Sequence, residues 1–419
     1  MVTTKQPGRN RRFVPADPDL RTLAASTLVN TFGNGLLFTL SALYFTRIVG
    51  LSVAQVGLGL TIAGGCGVVA GIPAGHLSDR IGARRMLIVL VFLECAGTIT
   101  YVVIGSFTSF LVIVGLTTIA DRSGNAVRSA LYAVAIPAEG RTQVRAYLRA
   151  VTNVGIGAGS AVAGIALQAD TKAAYVSLIL VDAATFIASA AILFRLPAQP
   201  PAPPAQAEDG RHRNRAVKDV PYLVTTALNA VLALQFGLIE VGLPLWIVGH
   251  TRAPRALVAV TLLANTILCV LLQVRASRGV TSVPLAARAA RRGGLLLAVC
   301  CVIFALADGV SALAAAFILL AGIAVQTLAE VLCSAAGWAL SYDLADPAAP
   351  GAYQGVFSSG FALAAMLAPI VVTSTALRFG FAGWAALGAL FAVAGAALVP
   401  VSRWAAGRMT GQAGDVSVS

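Results

Sequence analysis

The sequence is short of charge: Asp, Glu, Lys and Arg make up 11% of its 419 residues, while 58% are hydrophobic. A soluble globular domain carries about 25% charged residues. A chain this apolar has too little polar surface to cover itself in water, so part of its solvent must be lipid. It also lacks any G-x-x-x-x-G-K-[ST] sequence, which excludes an ATP-driven pump within this chain. There are three His, and no paired-His metal motif, nucleophile elbow, CxxC pair or His-rich tract. A metal site, a resident cofactor and an enzyme are therefore not expected. The six cysteines (Cys66, Cys95, Cys269, Cys300, Cys301 and Cys333) all fall inside apolar runs, where a free thiol packs as a small hydrophobe.

What is present is a series of apolar runs of about 20 residues, the length that crosses about 30 Å of hydrocarbon as a helix. They are apolar all round, without the alternation of a barrel strand. The expected spans are 22–45, 53–74, 86–104, 108–134, 150–168, 174–195, 221–248, 256–275, 294–308, 312–339, 354–377 and 381–401. The first run is too long for a signal peptide and reads as a retained helix.

Net charge is +13, and its placement tests the span count. Tails and loops on the side of the N-terminus hold 23 Lys and Arg; the other side holds Arg47, Lys172, Arg252, Arg255 and Arg378. Arg122 and Arg128 fall inside the fourth span. This asymmetry predicts twelve spans with both termini cytoplasmic. It also accounts for the basic balance without nucleic acid. Residues 196–220, Pro-rich and then charged, divide the chain into halves of six spans, 22–195 and 221–401. Residues 1–21 and 402–419 read as cytoplasmic tails.

After the second span the chain reads Gly75-His76-Leu77-Ser78-Asp79-Arg80-Ile81-Gly82-Ala83-Arg84-Arg85-Met86-Leu87. This resembles the G-x-L-a-D-r-x-G-r-k-x-x-l motif of the major facilitator superfamily, at the place where that family carries it. Ala83 stands where a basic residue is common. The resemblance extends over the whole chain in helix count, halves and linker. It implies an all-α membrane protein of two six-helix bundles, acting as a single chain and moving a small molecule by alternating access. Gly75 and Gly82 suit tight turns in a short loop. Asp79 has two readings: a latch onto a helix N-terminus of the other half, where the dipole favours a carboxylate, or part of a loop merely anchored to the membrane by Arg80, Arg84 and Arg85.

The fifth span contains Asn153-Val154-Gly155-Ile156-Gly157-Ala158-Gly159-Ser160-Ala161-Val162-Ala163-Gly164. It is similar to the family's antiporter motif around G-P-x-x-G-G, with Ser160 for the proline and Ala163 for a glycine. The motif implies export by drug:proton antiport. Close helix packing through Gly155, Gly159 and Gly164 is the competing reading. The resemblance also implies that spans 2, 5, 8 and 11 meet across the halves and that spans 1, 4, 7 and 10 line the cavity.

Ionisable residues inside spans are costly and mark cavities or partners. Glu94, Asp121, Arg122, Arg128, Asp182, Glu240 and Glu330 are the candidates, five of them on spans 4, 7 and 10. Helical spacing groups Asn30, Asn34 and Ser41; Asp121, Asn125 and Arg128; Asn229, Phe236 and Glu240; and Gln326, Glu330, Ser334 and Trp338. Asp121, Arg122, Arg128, Glu240 and Glu330 are candidates for proton coupling, against structural ion pairing. Arg122 is similar to the mid-helix-4 arginine of proton-linked members, although Ala126 replaces the glycine expected four residues on; Arg128 is its rival. Glu94 and Asp182, on peripheral spans, read as structural hydrogen-bonding groups. Trp246 and Trp338 read as interface anchors or, alternatively, as cavity platforms.

The expected function is proton-coupled export of small amphiphilic molecules across a bacterial inner membrane, the Ala-, Gly- and Arg-rich composition suggesting the bacterial source. An importer or facilitator is the alternative, and a membrane enzyme or sensor the remaining class.

Overall fold

The computed structural model describes residues 17–137, 140–169, 171–197 and 215–416. The start of the N-terminal tail and Arg211 and Arg213 of the linker lie outside the described residues. Among the described residues all regular structure is helical. In order, the long helices are α1 (Pro18–Leu43), α2 (Val53–Ile81), α3 (Ala83–Thr100), α4 (Phe107–Ala135), α5 (Arg141–Ala166), α6 (Lys172–Leu193), α7 (Val220–His250), α8 (Leu257–Ser277), α9 (Val283–Ala305), α10 (Ala312–Asp343), α11 (Pro350–Val372) and α12 (Phe381–Val416). Nine of these are apolar enough to span a membrane by length and composition alone; α4, α5 and α9 carry arginines within the helix.

The helix starts are written in the sequence. Asp17 accepts from Asp19 N ahead of Pro18, Ser52 and Gln55 form a reciprocal cap on α2, and Asp219 caps α7 ahead of Pro221. Such caps satisfy amide groups that a helix leaves open at its end. α7 is interrupted: its ladder breaks at Leu234 and a π turn spans Leu238–Gly242.

Packing repeats with an offset of six helices. In the first half α1 packs on α5 and α6, α2 on α4, and α3 on α4 and α6. In the second half α7 packs on α11 and α12, α8 on α10, and α9 on α10 and α12. The first half has one apolar core at each end. Leu23, Leu87, Leu131 and Leu193 build the one near the start of α1, and Tyr44, Phe45, Phe110 and Tyr175 the other. The halves meet through α2 with α11 and α5 with α8, as the family layout implies, and also through α4 with α11.

Several expectations are corrected. Residues 75–81 are not a loop but the last turns of α2; only Gly82, at φ +92°, breaks the helix before α3. Residues 402–416 continue α12 rather than forming a tail. α5 begins at Arg141 and α9 at Val283, so Arg145, Arg149, Arg288, Arg291 and Arg292 are helix residues, not loop residues. Trp246 is no interface anchor: it is fully buried, donates from Nε1 to Phe304 O at 2.8 Å and stacks on His250.

Candidate functional site

The two halves are joined at the end that carries the start of α1 and the end of α12. There the Asp79 carboxylate accepts from Gly351 N at 2.7 Å and Ala352 N at 2.9 Å, both in the first turn of α11. Two free helix N–H groups and the positive end of the helix dipole thus face one carboxylate. The close approach needs glycine on both sides. A Cβ on Gly75 would lie 2.1 Å from Gly351 O, and one on Gly355 2.5 Å from Gly71 O. Gly75 therefore serves a helix crossing, not a turn.

The remaining residues of this motif divide their work. Arg84 caps α6 within its own half, donating to Leu193 O and Phe194 O at 3.1 and 2.8 Å. Arg80 and Arg85 are exposed. Further in, Tyr342 OH donates to Ser129 O, and Gln143 Nε2 to Ser277 O. The Arg145 guanidinium sits 4.8 Å from the Tyr132 ring and 5.4 Å from the Trp338 ring, bridging the halves by cation–π contact. Toward the opposite end, ideal Cβ atoms on Gly57, Gly64 and Gly65 of α2, and on Gly157 and Gly164 of α5, meet nothing within 4 Å.

Above this joined end lies a cavity of ≈ 460 Å³ between the halves. It is lined from α1, α2, α4 and α5 on one side and from α7, α10 and α11 on the other. Asn30, Asn34, Asp121, Arg122, Asn125, Arg128, Asn229, Phe236, Ser334 and Trp338 all line it. Asn125 Nδ2 donates to Asp121 Oδ1 at 3.2 Å, Arg122 Nε lies 3.7 Å from Asp121 Oδ2, and Arg128 Nη2 donates to Asn30 Oδ1 at 3.0 Å. The two candidate arginines therefore have different partners: Arg122 the carboxylate, Arg128 an amide.

Gln326, Glu330 and Glu240 do not line the cavity. Successive steps of four residues advance about 40° around a helix, so the stripe from Gln326 to Trp338 swings by about 120°. Trp338 faces the cavity, whereas Gln326 and Glu330 face α8, where Asn265 Nδ2 donates to Gln326 Oε1 at 3.2 Å and Glu330 Oε2 at 3.0 Å. On α7 the break at Leu234 and the π turn rotate the register, leaving Glu240 exposed, within electrostatic reach of Arg149 and Glu330.

Arg145 and Arg149 line the cavity and are missing from the sequence reading, which counted them as loop charges. Their signal was the spacing Arg141, Arg145, Arg149, one helical face that continues into Thr152 and Ile156. Arg149 lies over the Phe236 ring at 5.4 Å. Asn30 Nδ2, Asn229 Nδ2, Arg145 Nε, Thr226 Oγ1 and Ser359 Oγ are buried in this lining without hydrogen-bond partners among the described residues. Buried polar atoms are normally paired, so the cavity offers unspent capacity to a guest.

On α5 the glycine motif serves packing within its own half. A Cβ on Gly155 would lie 2.1 Å from Thr31 Oγ1, and one on Gly159 2.0 Å from Phe32 O. Ser160 donates to Gly35 O at 3.2 Å. Gly164, expected to pack likewise, faces open space.

A family model described as Major Facilitator Superfamily matches residues 23–369. The chain belongs to the major facilitator superfamily. It is thus an all-α, multi-span membrane protein and a secondary transporter, in a family whose members are typically not enzymes. The crystal structure of the human organic anion transporter MFSD10 (TETRAN) is similar, with TM-score 0.71 and 15% identity over 91% of this chain and 98% of that one. So is that of a bacterial homologue of the iron transporter ferroportin in an outward-facing state, with TM-score 0.72 and 14% identity over 93% and 100%. At such identities these likenesses show the fold. No sequence match to a curated protein was found.

Proposed function

We propose that this transporter exports small amphiphilic molecules across a bacterial inner membrane in exchange for protons, as a single chain working by alternating access. The observation that carries the reading is the central cavity, walled by Asp121, Arg122 and Arg128 beside Trp338 and Phe236 and joined shut at one end. The basic loops support placing that end at the cytoplasm. The conformation is then outward-facing, with release of the Asp79–α11 contact as the step that opens the inner side. Exchange of a neutral cargo for one proton draws about 2.3 kcal/mol per 100 mV of membrane potential, about a 50-fold concentration ratio.

A second reading has its own observation. Arg122, Arg128, Arg145 and Arg149 line the cavity against one carboxylate, Asp121. This excess suits an anionic cargo. A proton on Asp121 frees Arg122 for that anion, so proton and cargo then bind together, which is symport. Proteoliposomes loaded with a charge-matched panel of anionic, neutral and cationic amphiphiles test both. Efflux accelerated by an opposing proton gradient and abolished by a protonophore or by Asp121→Asn supports exchange. Anion movement in the same direction as the proton supports the second reading. Movement indifferent to the gradient in every case overturns proton coupling.

A further inference from the structure

Two carboxylates that the cavity does not display sit directly behind its wall. Glu94 on α3 is 4% exposed and Asp182 on α6 is 0% exposed. Among the described residues the two Asp182 carboxylate oxygens have no hydrogen-bond partner, and the Thr185 hydroxyl, which donates to Asp182 O at 2.7 Å, faces the same Gly33 position. Thr98, one turn from Glu94 on the same face of α3, also keeps its hydroxyl unpartnered at 0% exposure. An ionised carboxylate held in such a place costs several kcal/mol. A bound proton removes that cost and supplies a donor.

Both side chains press against cavity-lining helices at positions without a Cβ. An ideal Cβ at Gly33 of α1 would lie 2.2 Å from Asp182 Oδ1, and one at Gly124 of α4 would lie 2.6 Å from Glu94 Oε1. In sequence Gly33 lies between the cavity residues Asn30 and Asn34. Gly124 lies between Arg122 and Asn125, one turn before Arg128. Each glycine is a window through which a carboxylate from a peripheral helix reaches the backbone of a lining helix.

The charged and titratable neighbours are few. α4 presents Asp121 and Arg128 to Glu94, and α6 presents Asp182. Cys95 and Tyr101 are within electrostatic reach of Asp182, and Tyr101 also of Glu94 and Asp121. Toward α1 the pair meets the Gly33 backbone and, through Arg128, Asn30.

We infer that Glu94 and Asp182 form a proton-binding pair behind the cavity wall, whose occupancy is felt in the cavity through Arg128. Loading moves one proton from a hydronium ion to a carboxylate oxygen: an O–H bond of hydronium breaks, one forms on the carboxyl group, and water is left. Glu94 then no longer attracts Arg128 electrostatically, and the guanidinium, which already donates to Asn30 Oδ1, has its remaining N–H groups released to cargo. The inference deepens the proton-linked reading and rests on it, while assigning the proton to groups other than those displayed in the cavity.

Infrared difference spectroscopy of the full chain in lipid, titrated with acid, tests this without a known cargo. The wild type is expected to show the C=O stretch of a protonated carboxylic acid, changing with pH. Glu94→Gln and Asp182→Asn should each lose part of that band, and Glu330→Gln should retain it. Gly124→Ala, which keeps both carboxylates but fills a window, should shift the titration rather than abolish it, and it covers the case in which the first variants fail to fold. In the proteoliposomes above, Glu94→Gln should transport at one rate with and without a pH gradient. A band unchanged in both carboxylate variants overturns the assignment, as does a band that answers to sodium instead of pH. A wild type whose transport ignores the gradient, with the band still present, instead overturns the coupling reading alone.

Discussion

Asp79→Asn weakens the contact that holds the inner ends of the halves together, and its effect can be worked from the geometry. The carboxylate accepts two short bonds, 2.7 and 2.9 Å, from consecutive amides at the start of α11. Hydrogen bonds to a charged group contribute about 1.5–3 kcal/mol each, and the helix dipole adds about 0.3–1 kcal/mol. The amide keeps one acceptor oxygen, loses the charge, and turns an NH2 toward one of the two N–H donors. Because Asp79 is only part-buried, the low end applies, about 2 kcal/mol for the lost bond and charge. That shifts the ratio of latched to opened chains about 30-fold. A 30:1 preference for the latched state then falls to about 1:1. Spin labels at Arg195→Cys and Arg403→Cys, exposed positions at this end of the two halves, in a Cys66→Ser background, report the separation by pulsed electron resonance. The expected result is a second, longer distance in Asp79→Asn. A distance distribution identical to that of the parent refutes the latch and leaves Gly75–Gly351 packing as what holds this end.

Two further outcomes follow from packing. Gly159→Ala drives a methyl into the Phe32 carbonyl, a backbone atom that cannot rotate away, and should cost about 1–3 kcal/mol by overpacking. Gly164→Ala meets nothing and should be neutral or gain up to about 1 kcal/mol of helix propensity; thermal unfolding in detergent separates the pair, and equal behaviour contradicts the assigned faces. Trp246→Ala empties a site wholly inside the second half and removes the Nε1–H donor to Phe304 O, which keeps the backbone N–H of Ala307. A loss of about 3–5 kcal/mol is expected, read as a marked fall in melting temperature, where an interface anchor would lose far less.

The sequence by itself determined an all-α, multi-span membrane chain, because apolar length is a local property. Asp79 stood out in a short motif, but its two readings stayed open there, and only the structure places its carboxylate on the first turn of α11. Periodicity grouped Asn30 with Asn34, and Asp121 with Asn125 and Arg128, over one or two turns each, and all five line the cavity. It failed for Gln326, Glu330 and Glu240, where a longer stripe rotates off its face or a π turn resets it. Arg145 and Arg149 were hidden by the assumption that charge ends a span, although a helix lining a wet cavity tolerates it. What only the tertiary structure decided is which helix lies behind which. The apposition of Gly33 to Asp182 and of Gly124 to Glu94 joins residues 149 and 30 positions apart, and no local pattern encodes it. Such contacts arise where two backbones approach closely enough for the absence of a Cβ to matter, a distance set by the packing of the whole bundle.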